Sequence, residues 1–168
     1  MKRRVFGAGL ISTLAFAGCS TGSKFKRYNG PDVTSIVGNK SSLNMYLLNH
    51  NDILKSYDID LGFAPAGPKQ FEGDGKTPEG TYLIDRRNPN SAFHLSLGIS
   101  YPNAEDRAFA KAQGKSPGGD IFIHGLPNGY RRPPKKVNWT AGCIAVKNKE
   151  IEEIYAMVRN GTVITIWA

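Results

Sequence analysis

The sequence predicts a β-rich α+β domain, with mainly antiparallel or mixed sheets and one clear helix in its C-terminal half. Three observations carry this expectation: short runs that alternate apolar and polar residues, Gly, Pro, Asn or Asp between most of them, and a single stretch of helical periodicity near residue 150. At 168 residues, with 40% hydrophobic and 10% aromatic content, the chain holds one domain's worth of core-forming material.

The first eighteen residues belong to no core. Lys2, Arg3 and Arg4 form a cationic start, an apolar run spans 5–16, and Ala17-Gly18 lead into Cys19. That run is too short to span a bilayer stably, and its small-residue end suits a signal peptidase, so 1–18 reads as an export signal rather than a permanent anchor. Phe16-Ala17-Gly18-Cys19 resembles a bacterial lipobox, with Phe16 in place of the usual leucine. The resemblance implies that Cys19 is acylated and held firmly at a membrane. Residues 19–42, rich in Ser, Thr, Gly, Asn and Lys, then read as the lipidated cysteine and a flexible tether, leaving 43–168 as the folded domain.

Strands are expected over 45–48, 53–59, 81–84, 93–99, 121–123, 144–146 and 163–167. Asn49-His50-Asn51-Asp52 reads as a hairpin turn between the first two, with His50 exposed and without a role. In the helix, Asn148 caps, Glu150 lies near the positive end, Ile151, Ile154, Tyr155 and Val158 share one face, and Asn160-Gly161 stop the run. Glu152 and Glu153 fall on its solvated side, and a weaker helix is expected over 105–112. The Gly-rich stretch 73–80 lacks nucleotide-binding spacing and precedes a strand, so it reads as a structural turn.

The chemistry centres on His124-Gly125 and on Trp139-Thr140-Ala141-Gly142-Cys143. The run 121–123 is a buried strand that delivers His124 at its end, and Cys143 immediately precedes the apolar 144–146. A cysteine attacks as thiolate, and an imidazole that takes its proton is the common activator at neutral pH. His124 is thus the expected base and acid, and Cys143 the nucleophile. The carbonyl of Gly125 orients the ring, and backbone N–H groups near Gly142 and Cys143 stabilise an oxyanion. If Cys19 carries lipid, Cys143 has no disulfide partner, and an inert buried cysteine is the competing reading.

These blocks resemble the signature of the YkuD-type L,D-transpeptidases, in a YafK-like subgroup. The likeness extends to Gly75-Lys76-Thr77-Pro78-Glu79-Gly80-Thr81-Tyr82 and to Leu97-Gly98-Ile99-Ser100-Tyr101-Pro102-Asn103. It implies a cysteine-dependent transpeptidase with an oxyanion hole near Ala141, Gly142 and Cys143. Cys143 takes the third residue of a peptidoglycan tetrapeptide stem as a thioester, releases D-alanine and passes the stem to an amine. Ala141 and Ala145 stand where many relatives carry histidine and a polar residue, which opens an alternative: a hydrolase of the same linkage, including release of peptidoglycan-bound protein. A non-catalytic peptidoglycan-binding lipoprotein is the rival from another class.

Arg131, Arg132, Trp139, Thr140 and His94 are candidate substrate contacts. The two arginines sit on a proline-stiffened basic loop suited to carboxylates, Trp139 either stacks or packs, and His94 either faces the cleft or is structural. No cofactor and no metal are expected, since His50, His94 and His124 lack ligand spacing. Formal charge is +8, or about +5 without Lys2, Arg3 and Arg4, with no nucleic-acid motif. The expected setting is the bacterial envelope, facing the periplasm. Ser20 after Cys19 is no acidic retention signal, so outer-membrane sorting is expected by resemblance where two membranes exist.

Overall fold

The computed structural model describes residues 22–168. Eight strands form one curled sheet: β1 (Ser35–Asn39), β2 (Asn44–Asn49), β3 (Asp52–Asp58), β4 (Gly80–Asn88), β5 (Ser96–Ile99), β6 (Phe122–His124), β7 (Ile144–Ala145) and β8 (Val163–Trp167), in the order β3-β2-β1-β8-β4-β5-β6-β7. The pairs β1·β8 and β6·β7 are parallel and the rest antiparallel. β4 joins the two halves: its first residues pair with β8 and its later ones with β5, and an irregularity between Ile84 and Arg86 turns the sheet.

Alternation within strands places Ile36, Met45, Leu47, Ile84 and Ile164 in the core, where α2 (Asn148–Met157) adds Ile151 and Ile154. Full burial of each such side chain contributes about 1.5–3 kcal/mol. The helix α1 (Ala104–Ala112) opens with a reciprocal cap. Asp106 N–H donates to Asn103 Oδ1 at 3.0 Å and Asn103 N–H donates to Asp106 Oδ2 at 2.9 Å. The turn after Asn49 joins β2 to β3 as an antiparallel hairpin, and exposed His50 takes its left-handed position at φ 53°.

Three sequence expectations need correction here. The tether does not run to residue 42, because β1 lies between β2 and β8 in the middle of the sheet, with Ile36 opposite both Leu47 and Ile164. Even residues 24–26 touch the domain: Lys24 Nζ donates to the Pro89 carbonyl at 2.7 Å, and Lys26 pairs with Glu152 and Glu153. The strand expected over 93–99 begins only at Ser96, since His94 takes a left-handed backbone (φ 69°) that breaks extension. Asn148 is the first helical residue rather than the cap, and Lys147 occupies the cap position with its N–H donating to Glu150 Oε2 at 2.8 Å. The export signal at 1–18 and the lipidation site Cys19 lie outside the described residues. Among the described residues no helix is long and apolar enough to cross a membrane.

Candidate active site

Strands β6 and β7 run parallel, with Ile123 opposite Ile144 and His124 opposite Ala145. This register brings the end of β6 beside the entry to β7, so His124 and Cys143 line one cavity of about 500 Å³. Phe93, Phe122, Trp139, Thr140 and Ala141 form much of its remaining wall.

The turn ahead of Cys143 is held by Thr140. Its buried hydroxyl donates to the Cys143 carbonyl at 2.7 Å and accepts the Gly142 N–H at 3.1 Å. That N–H is therefore engaged, which removes Gly142 from the expected oxyanion donors; the N–H groups of Ala141 and Cys143 have no partner among the described residues. Gly142 matters for its backbone instead. Its φ of 140° suits glycine alone, and a Cβ there would stand 2.7 Å from the Lys76 carbonyl oxygen. The Gly-rich stretch thus acts as a buttress behind the Cys143 turn, and Thr77 Oγ1 fastens it by accepting the Gly62 N–H at 3.0 Å.

His124 is 4% exposed, packed between Phe93 (ring centroids 4.5 Å apart) and Trp139 (5.8 Å). Its Nδ1 lies 2.7 Å from the Gly125 carbonyl oxygen. A carbonyl only accepts, so Nδ1 carries the proton and Nε2 keeps a lone pair. Nε2 has no protein partner, yet the described residues include no sealed side-chain nitrogen lacking one, so it meets the open cavity. Gly125 leaves no room for a side chain, since a Cβ would stand 2.7 Å from Asn148 Oδ1. That same oxygen accepts the Leu126 N–H at 2.8 Å.

The Cys143 sulfur accepts from the Phe122 N–H at 3.4 Å and donates toward the Asp120 carbonyl at 3.5 Å; no hydrogen bond joins it to His124. Burial pushes the thiol above its ordinary value, and the negative Asp120 adds to this against the lowering effect of the Phe122 N–H and Lys69. Burial pulls the imidazole below its ordinary value, partly offset by the bond to Gly125. Both groups rest neutral near pH 7, which sets a thiol and a neutral imidazole base in one cavity.

The other candidates separate. Trp139 lines the cavity, but its indole N–H donates to Asp60 Oδ2 at 3.2 Å, so the side chain also fixes the wall. Thr140 spends its hydroxyl proton inside the turn. His94 points away from the cavity: its Nε2 lies 2.8 Å from Glu152 Oε1, which makes it a structural link to α2 and gives Glu152 a partner. Arg131 lines a different groove beside Lys147 and Glu150, and Arg132 is exposed and does not line the Cys143 cavity. Among the described residues no group of three His, Cys, Asp or Glu side chains is placed to hold a metal ion.

Residues 34–166 match the family model for the YkuD L,D-transpeptidase catalytic domain. The chain belongs to this family. This L,D-transpeptidase-family chain is 31% identical to YafK of Escherichia coli (strain K12), whose name assigns it to the L,D-transpeptidases, over 92% of this chain and 62% of that one. Among solved structures, the helical cell shape determining protein Pgp2 of Campylobacter jejuni superposes with a TM-score of 0.62 at 28% identity, covering 83% of this chain and 49% of that one. Bd1075 of Bdellovibrio bacteriovorus gives 0.56 at 26%, covering 81% and 48%. L,D-transpeptidase 1 of Mycobacterium tuberculosis, at 14% identity and a TM-score of 0.52 over 82% of this chain and 62% of that one, shares the fold. The chain therefore spans about half to three-fifths of these relatives' lengths.

Three residues of this family member's site escape sequence reading. Asp60 anchors both Trp139 and the Asn138 N–H, the latter at 3.0 Å. Asn148 ties α2 to the turn after His124, and Asp120 supplies the carbonyl next to the sulfur. All three act across long stretches of chain, and none stands in a motif.

Proposed function

We propose that the domain is a cysteine-dependent L,D-transpeptidase that takes peptidoglycan tetrapeptide stems as a thioester and passes them to an amine. The observation that carries this is the shared cavity: Cys143 in its wall and a His124 ring tied through Nδ1, with Nε2 left open to the same space. The rivals on chemistry alone are weaker, because an inert structural cysteine gains nothing from a lone-pair imidazole held beside it.

The reaction follows from those placements. A stem carbonyl entering the cavity draws the thiol away from the Asp120 carbonyl. As sulfur bonds to carbon, Nε2 of His124 takes the thiol proton, and the Ala141 and Cys143 N–H groups hold the oxyanion, each such donor being worth about 10²–10³ in rate. Imidazolium then gives the proton to the departing amine of D-alanine, leaving the thioester. An incoming amine attacks, yields its proton to Nε2, and the thiol is restored when the tetrahedral adduct collapses.

Hydrolysis of the same linkage is the second reading, favoured by one feature: exposed Ala141 offers no polar side chain to hold an acceptor amine, so water can take its place. A periplasm-facing setting with Cys19 as the lipid attachment belongs to the same reading, and its support is the sequence: a cationic start, a short apolar run and the lipobox-like Phe16-Ala17-Gly18-Cys19. A protein amine is a further acceptor, and a released peptidoglycan-linked protein a further product, in this proposal. The test is incubation with defined tetrapeptides, with and without an amine acceptor, read by mass. The expected result is a thioester adduct on Cys143, absent in Cys143→Ala, with cross-linked product when amine is present. Water-derived product alone would convert the assignment to hydrolase, and no adduct with any stem would refute it.

A further inference from the structure

We propose that Asp120 and Arg86 form a charge pair at the cavity mouth that reads the zwitterionic end of the diamino acid at the third position of the donor stem. This inference rests on the proposed function and names its specificity determinant. Among the described residues lining the cavity, Asp120 is the one with an ionised side chain; its neighbours there are apolar or neutral. Its backbone carbonyl stands 3.5 Å from the Cys143 sulfur, which places the residue beside the point of attack, and its carboxylate pairs with Arg86, whose guanidinium lies over the Phe122 ring of the same cavity.

Packing does not account for that carboxylate. Asp120 holds a left-handed backbone (φ 54°), which aspartate tolerates better than most residues, and it follows directly on Gly118-Gly119. The side chain is 82% exposed, so packing gains nothing from it. A negative charge here also opposes ionisation of Cys143. What a carboxylate at this point can do is hold a cation on the substrate.

Arg86 supplies the complementary half. Its Nη1 lies 3.3 Å from Asp120 Oδ1, its Nε 3.2 Å from Asp85 Oδ1, and its guanidinium sits 5.0 Å from the centre of the Phe122 ring that lines the cavity. An exposed pair of this kind is held weakly, by about 0–1 kcal/mol, and can exchange partners. The far end of meso-diaminopimelate carries an ammonium and a carboxylate on one carbon. Asp120 takes the ammonium and Arg86 the carboxylate, so the pair opens onto the ligand without leaving either charge bare. Lysine presents only the ammonium, and norleucine presents neither.

The experiment compares matched tetrapeptides carrying meso-diaminopimelate, L-lysine or L-norleucine at the third position, with wild type, Asp120→Asn and Arg86→Gln, reading kcat and KM by product mass. Wild type is expected to rank them in that order. Asp120→Asn should shrink the diaminopimelate-to-norleucine ratio of kcat/KM by up to about fivefold, mainly through KM, the range for an exposed charge pair. Arg86→Gln should erase the preference for diaminopimelate over lysine while keeping that for lysine over norleucine. A wild type that treats all three alike overturns the proposal without any variant. Ratios unchanged in a folded Asp120→Asn also overturn it, with the proposed function intact because product still forms. Failure of wild type to acylate with any stem brings down both.

Discussion

At the residue scale, the pairing of a thiol pushed up with an imidazole pulled down fixes the pH response. Both shifts arise mainly from burial, which penalises the charged form of each group. In the proposed reaction the reactive form of the pair holds one proton. Below the His124 transition the ring is protonated and there is no base; above the Cys143 transition the pair has lost the proton that the leaving amine needs. The kcat/KM profile is therefore expected to be a broad bell, with its acid limb below the ordinary imidazole value of 6.5 and its alkaline limb above the ordinary thiol value of 9.0. These limbs belong to the pair rather than to either residue alone. Measuring kcat/KM across pH with a fixed stem checks it; an alkaline limb falling near neutrality would mean a resting ion pair and contradict the neutral site.

At the element scale, α2 holds the His124-Gly125 turn through Asn148. Its Oδ1 accepts the Leu126 N–H and leaves no space at Gly125 for a side chain, so helix and His124-Gly125 form one rigid unit. Asn148→Ala strands the Leu126 N–H, at an expected cost of about 1–3 kcal/mol. Activity should fall further than stability explains, because the Gly125 carbonyl that orients the ring loosens with it. Denaturant melts alongside kcat measure the two; a stability loss with unchanged kcat would show that the turn is set without the helix. The motif residues His124, Gly125 and Cys143 are legible in sequence because each sits at the end of an apolar run whose strand character is local. Asn148 is legible only as a helix-start residue, since its polar side chain suits a cap equally well, and the choice is made by a backbone N–H twenty-two residues away. His94 is left open by sequence for the same reason: an alternating pattern continues through it, and the structure ends that pattern with a left-handed backbone and pairs the ring with Glu152 on α2.

At the scale of the whole molecule, the domain's true start decides whether the sheet exists. Ser35-Ile36-Val37-Gly38-Asn39 has too few apolar residues to stand out from the polar segment around it, and its strand form comes from partners on both sides. Removing it takes away Ile36, which is fully buried, and leaves β2 and β8 with unpaired backbone groups along their lengths. Against a total stability of about 5–15 kcal/mol for a domain, that loss is decisive. A chain beginning at residue 43 is expected to show no cooperative melt. One beginning at residue 33 keeps β1 and should melt cooperatively, but it lacks Lys24, whose amine bridges the Pro89 and His94 carbonyls at 2.7 and 3.2 Å next to the cavity wall at Ser91, Ala92 and Phe93. Amide exchange over residues 89–95 should then quicken while the β1 amides stay protected. Cooperative melting of the chain from residue 43 would place β1 outside the folding unit, and unchanged exchange in the chain from residue 33 would reduce the Lys24 contacts to surface decoration.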